Sequence, residues 1–261
     1  MIGIFDSGIG GLTVVRAFME QLSGYDIIYF GDTARTPYGN KSPETVVKYA
    51  LENTDFLLSK GAKIIVMACH TASSVATEKM AERFDVPIFE VITPAVELAI
   101  KSSGKSGIGV IGTRATINSG IYEKKIKQMN PDAKVYSFPC PLLVPLVEEG
   151  WLKKPETRMI VKKYLHPLKI RQIKTLILGC THYPILKNII QQKVGKRVNI
   201  IDSSIAVAGK VKAFLENHIE VDSMLDKKGG CRFFVSDVTA QFEKTAKDML
   251  KRTLILEHVR I

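Results

Sequence analysis

Lys63-Ile-Ile-Val-Met-Ala-Cys69-His70-Thr71 and Thr175-Leu-Ile-Leu-Gly-Cys180-Thr181-His182 are the two stretches that decide the fold. In each, an unbroken apolar run ends at a cysteine and opens into a polar turn containing threonine. Continuous rather than alternating hydrophobicity predicts a strand covered on both faces, as in a parallel sheet. Each strand would deliver its thiol to the carboxyl edge of a sheet, where open α/β folds bind ligands. Two matched thiols in one crevice suit a reaction in which a proton leaves one face and returns from the other. The echo, 111 residues apart, hints at two similar half-sites facing each other across a cleft.

The same pattern extends along the chain. Apolar runs at 2–5, 27–30, 64–68, 87–92, 108–111, 135–138, 176–178 and 198–201 alternate with amphipathic stretches. One helix is predicted from the Ser42-Pro43-Glu44 start signal to Lys60-Gly61, another over about 184–192. Strand–helix alternation predicts an α/β fold. Residues 96–207 hold 19 Lys+Arg against 7 Asp+Glu, whereas the rest holds 18 against 19. Short polar breaks occur at 102–107 and 226–230. The expectation is two similar α/β domains with mainly parallel sheets and the active site in the cleft between them. The first spans 1–95 plus 208–261 and carries Cys69; the second, basic one spans 96–207 and carries Cys180.

Composition narrows the function classes. The 261 residues are 46% hydrophobic with net charge +11 and mean hydropathy +0.07, enough to bury two cores and without a disorder signature. The start, Met-Ile-Gly-Ile-Phe-Asp, goes straight into a strand-like run and lacks the features of a secretion signal. No apolar run approaches bilayer length, so a cytoplasmic location and no membrane partner are expected. In a reducing compartment, Cys69, Cys140, Cys180 and Cys231 are expected as thiols. Cys140 and Cys231 have no sequence neighbours of the kind that mark a reactive thiol and read as small hydrophobes. Lys124, Lys125, Lys127, Lys162 and Lys163 read as a solvated basic face before a lure for an anionic substrate or nucleic acid. No aromatics interleave with them as in single-strand binders.

The candidate chemistry clusters at strand ends. Phe5-Asp6-Ser7-Gly8-Ile9-Gly10-Gly11 is a glycine-rich turn, but its G-x-G-G spacing is not the dinucleotide pattern, and Asp6 would oppose a pyrophosphate. Asp6 and Ser7 suit an ammonium group or the orientation of a neighbour. In Gly31-Asp32-Thr-Ala-Arg35-Thr36-Pro37-Tyr38-Gly39, backbone N–H groups at Tyr38 and Gly39 could hold a carboxylate, and a plain ordered loop is the alternative. The cysteines admit three readings. A zinc site built from Cys69, His70, Cys180 and His182 lacks the paired spacing of structural sites. A single-thiol hydrolase leaves one cysteine idle. An acid–base pair of thiols uses both.

These motifs together resemble glutamate racemase, of the aspartate/glutamate racemase superfamily. The resemblance runs through Ile-Gly-Ile-Phe-Asp6-Ser7-Gly-Ile-Gly-Gly-Leu-Thr, Gly-Asp32-Thr-Ala-Arg-Thr-Pro-Tyr38-Gly39, Ala-Cys69-His-Thr71-Ala-Ser, Gly-Val-Ile-Gly-Thr113-x-Ala-Thr116, Val-Pro-Leu-Val-Glu148-Glu149-Gly and Gly-Cys180-Thr181-His182-Tyr-Pro. It implies interconversion of L- and D-glutamate without pyridoxal phosphate or metal, supplying peptidoglycan synthesis. It implies that Cys69 and Cys180 are the catalytic bases, assisted by Asp6, Glu148 and His182. It further implies substrate contacts from Asp6, Ser7, Tyr38, Gly39, His70, Thr71, Thr116, Thr181 and His182. Glutamate is the expected partner; a homodimer is allowed but not specified. Physically, donors such as Thr71, Thr116 and Thr181 would stabilise the carbanion formed at a weakly acidic carbon, each worth about 3 kcal/mol. Cysteine, with a reference pKa of about 8.5, can be tuned toward neutrality.

Two departures stand out. His70 occupies a position usually Asn in the family, and Glu90-Val-Ile-Thr93-Pro94 places a carboxylate three residues before its usual site. The expectation is that His70 and Glu90 are adjacent, with Glu90 offsetting an imidazolium. Rival readings are a racemase acting on aspartate or a related acid, a single-thiol decarboxylase or hydrolase, and a nucleic-acid-binding protein using the basic middle unit.

Overall fold

A computed structural model describes residues 1–104, 106–251 and 254–260. Lys105, inside the polar break at 102–107, lies outside the described residues. The strands are β1 (Ile2–Asp6), β2 (Ile27–Gly31), β3 (Ile64–Met67), β4 (Ile88–Glu90), β5 (Ile108–Gly112), β6 (Val135–Pro139), β7 (Thr175–Gly179), β8 (Asn199–Asp202), β9 (Cys231–Val235) and β10 (Leu256–His258). They form two sheets, ordered β10-β9-β2-β1-β3-β4 and β6-β5-β7-β8. Every pairing is parallel. The apolar runs explain this: β1, β2, β3, β5 and β7 are buried along their whole length, so helices cover both faces.

Helix boundaries follow local chemistry. Ser42 caps the helix Pro43–Ser59 by accepting from the Thr45 amide at 3.3 Å, with Pro43 at its first position. The run at 87–92 is a strand only as far as Glu90. The Glu90 carboxylate accepts from the amides of Ile92 (2.5 Å) and Thr93 (2.9 Å) and starts the helix Ile92–Ser103. The helix expected over 184–192 begins as a tight turn, Tyr183–Leu186, and is α-helical over Lys187–Val194.

The cores divide at the two crossovers. The helix Ile92–Ser103 gives Ile92, Ala95, Val96 and Ala99 to a cluster with β5 and β7. The helix Ser203–Asn217 gives Val207, Ala208, Val211 and Leu215 to the cluster around β1, β2 and the helix Leu12–Gln21. The chain therefore passes between these cores at Val91–Ile92 and returns between Ile201 and Val207. Among the described residues, no helix is long and apolar enough to cross a membrane.

Candidate active site

Both thiols stand where their strands end. The chain leaves β3 at Met67, and Cys69 sits immediately before the helix His70–Arg83. Cys180 follows directly after β7. The two line one small cavity, whose unfilled space including its open mouth is about 320 Å³. Its other lining residues are Ser7, Thr36, Pro37, Tyr38, Gly39, His70, Thr71, Thr113, Val144, Thr181 and His182. Most of the residues expected to touch substrate are thus assembled from loops of both sheets.

The surroundings of the thiols differ. Cys69 donates to Ser7 Oγ at 3.8 Å. Burial, reinforced by the charge of Asp6, pushes its pKa up to about 12, although the Ala72 amide and Ser7 favour the thiolate. Cys69 is therefore a thiol at neutral pH when the site holds no cation. Asp6 is buried and accepts from the amides of Gly8 (3.1 Å) and Gly11 (2.9 Å) and from Thr181 Oγ1 (3.2 Å). Burial raises its pKa against those hydrogen bonds and the neighbouring His182. Asp6 thus ties the glycine-rich turn to the loop that carries the second thiol.

Cys180 Sγ lies 3.8 Å from His182 Nδ1, and His182 Nε2 lies 2.6 Å from Glu148 Oε1. Burial alone would lower the imidazole pKa, but hydrogen bonds to Cys180 and Glu148 outweigh it and hold it well above 6.5. An imidazolium therefore faces the second sulfur and complements negative charge there. The turn glycines make this approach possible. A Cβ on Gly10 would come within 2.4 Å of Thr181 Oγ1 and 2.5 Å of His182 Nδ1. The G-x-G-G turn is thus a close-packing device between the two halves.

Hydroxyls form the remaining wall. Thr71 Oγ1 is 3.1 Å from Thr113 Oγ1 and 3.4 Å from Thr116 Oγ1, and the latter two are 2.9 Å apart. Thr71 comes from the first half, and Thr113 and Thr116 from the turn after β5. Thr116 joins the site through this cluster, outside the cavity lining proper. Gly39 passes so close to Thr113 that a Cβ would meet its Cβ at 2.9 Å. The neighbouring Tyr38 hydroxyl donates to Asp32 and accepts from Asn53 Nδ2 at 3.0 Å. Asp32 also accepts from Arg35 Nε (2.6 Å) and Ser236 Oγ (3.0 Å), so the Tyr38–Gly39 loop is held by a buried polar network.

His70 departs from expectation. It is buried in the cavity wall, and among the described residues neither ring nitrogen has a hydrogen-bond partner. Burial pushes its pKa down to about 3, so the ring is neutral. The expected His70–Glu90 pairing does not occur: Glu90 is turned to cap the helix Ile92–Ser103, with Lys125 Nζ 3.9 Å away. Thr36, Pro37, Thr113 and Val144 line the cavity without having been read as site residues. For Thr113 the signal was present: a strand-end threonine three residues before another, in helix-capping register. Among the described residues, no group of three or more His, Cys, Asp or Glu side chains could hold a metal.

Two parallel sheets meeting at a thiol pair define a class of enzyme: the family model for Asp/Glu/hydantoin racemases matches residues 2–211, and the chain belongs to that family. The glutamate racemase of Persephonella marina is 48% identical over 249 residues, 95% of this chain and 92% of its own. That of Streptococcus pneumoniae serotype 19F is 41% identical over 261 residues, 100% of this chain and 98% of its own. A glutamate racemase isoform from Bacillus anthracis has a crystal structure with TM-score 0.94 at 36% identity, covering 100% of this chain and 97% of its own. The Francisella tularensis enzyme, solved with D-glutamate, gives 0.90 at 38%, covering 99% and 96%. Within its family the chain groups with the glutamate racemases. An aspartate racemase from Picrophilus torridus, 21% identical with TM-score 0.56, shares the fold alone.

Proposed function

We propose that the protein interconverts L- and D-glutamate by proton transfer between two thiols, without pyridoxal phosphate or metal, and so supplies D-glutamate for peptidoglycan. The observation that carries this reading is one small cavity walled by two cysteines whose partners come from different sheets. One sulfur, as thiolate, takes the Cα proton; the Cα–H bond breaks and an S–H bond forms. The opposite thiol then gives its proton to the other face of the planar carbanion and becomes the thiolate. The roles exchange with direction.

The ligand-free site favours one starting state. Cys69 is protonated, while Cys180 faces an imidazolium. When Cys69 is the abstracting base, the substrate ammonium near Asp6 and Ser7 offsets the charge that otherwise disfavours its thiolate. Thr71, Thr116 and Thr181 bind and polarise carboxylate, and the Tyr38–Gly39 loop holds the other end. The two units, the helix Ile92–Ser103 belonging to the second and the helix Ser203–Asn217 to the first, close on the ligand and exclude water. The reading includes a cytoplasmic location and allows a homodimer, checked by sedimentation of the purified chain.

The test is substitution of each thiol. Cys69→Ser and Cys180→Ser should each lower racemisation of both enantiomers by about 10²–10⁴-fold. Near-normal turnover in either variant would leave a one-thiol mechanism in its place.

A further inference from the structure

We propose that Glu148 is a proton port: it connects Cys180 through His182 to a second, water-accessible vestibule, so that this thiol exchanges its proton with solvent while substrate occupies the site. The inference rests on the two-thiol reading and adds where one of the two protons enters and leaves.

The vestibule lies behind the His182 ring. Its lining includes Gly8, Thr33, Glu148, Asp237, Gln241 and Thr245, and it encloses about 660 Å³ including its open mouth. It shares one lining residue, Thr36, with the cavity that holds the thiols. Gly8, Thr36 and Glu148 form the partition: a Cβ on Gly8 would lie 3.2 Å from Thr36 Oγ1 and 3.5 Å from Glu148 Oε1. The hydrogen-bonded pair crosses it. The His182 side chain is 3% exposed and lines the inner cavity, whereas Glu148 is 34% exposed and lines the vestibule. Exposure changes tenfold across one 2.6 Å contact.

The transfer balances in two steps. From a Cys180 thiol beside the neutral Nε2–H imidazole, the Sγ proton passes to His182 Nδ1 and gives the thiolate–imidazolium pair. The imidazolium then passes its Nε2 proton to Glu148 Oε1, which releases it to vestibule water, and the reverse sequence reloads the sulfur. Among the described residues Cys69 lacks such a path: its sulfur bonds to Ser7 Oγ and the Ala72 amide, neither a titrating group. Asp6, the acid beside it, is sealed by the Gly8 and Gly11 amides and Thr181. The two thiols therefore differ in access: Cys69 exchanges only through the substrate cavity, Cys180 also from behind.

The test uses the 261-residue Cys69→Ser variant, whose turnover is expected to be about 10²–10⁴-fold slower, and follows the His182 ring N–H resonance, assigned by its loss in His182→Asn. Solvent exchange of this proton is measured free and saturated with D-glutamate. The expected result is that glutamate slows exchange by less than twofold. Adding Thr245→Trp, or Gln241→Trp should the first fail to fold, fills the vestibule and should slow the glutamate-bound exchange at least tenfold. Glu148→Gln should do the same without filling it. Exchange stopped by glutamate alone, or unaltered in the filled and Glu148→Gln variants, would overturn the port. Absence of any glutamate-induced shift in the spectrum would instead overturn the functional reading beneath it.

Discussion

Replacing His70 with leucine should make the ligand-free protein more stable and the enzyme worse. His70 carries one donor and one acceptor on its neutral ring, both buried and both unpartnered. An unsatisfied buried polar atom costs about 1–3 kcal/mol, so the pair withholds about 2–6 kcal/mol from the empty fold. Leucine removes both and differs in shape, with repacking losses of about 1–3 kcal/mol. The net expectation is a gain of about 2 kcal/mol, or roughly 4–8 °C in Tm for a chain of this size. His70 lines the cavity, where a bound amino acid would give these nitrogens partners. Losing that interaction, worth about 1.4 kcal/mol, should lower kcat/KM about tenfold. His70→Asn keeps a donor and an acceptor and should retain kcat/KM to within about threefold. Thermal melts with and without D-glutamate, read beside polarimetric kinetics, check all three values. A His70→Leu protein that melts lower than wild type and keeps its kcat/KM would refute the reasoning, because His70 would then be an ordinary packed side chain.

Three further outcomes follow from the geometry. Gly10→Ala puts a methyl group about 2.4 Å from Thr181 Oγ1 and 2.5 Å from His182 Nδ1, so racemisation should fall at least tenfold while secondary structure by circular dichroism stays native. The Cys69 pKa is raised in the folded chain, so its contribution to stability is present below the unfolded value and lost as pH rises toward about 12. Urea melts between pH 8 and 11 should show wild type losing more stability than Cys69→Ser. His182 has the same sign: its raised pKa makes its contribution full below about 6.5 and lost as pH rises through the folded value, so the stability gap between wild type and His182→Asn should narrow in alkali.

Much of this architecture is legible in the chain because helices bury both faces of the central strands. That leaves β1, β2, β3, β5 and β7 as uninterrupted apolar runs. The outer strands of the first sheet escape the same reading. β9 (Cys231–Val235) contains exposed Arg232, and β10 (Leu256–His258) is an edge with two exposed residues, so neither shows the buried pattern. Both thiols are legible because strand ends announce themselves. Thr113 is not, because its significance lies in Thr71 across the cleft, 42 residues away. The His70–Glu90 pairing fails for a local reason: Glu90 finds the free amides of Ile92 and Thr93 two and three residues on, and a helix start outcompetes a distant imidazole. The glycine spacing at 8–11 excludes a dinucleotide loop, but only the folded chain shows that those glycines admit Thr181 and His182.

The central claim is that protons reach Cα from two different sulfur atoms. L-glutamate racemised in deuterium oxide, with product and recovered substrate separated and weighed by mass spectrometry at low conversion, tests it directly. The account predicts deuterium at Cα of nearly all newly formed product from either enantiomer, with much less in the recovered substrate at early times. Equal labelling of both pools from the first turnovers, or product that keeps its original proton, would mean that a single base serves both faces.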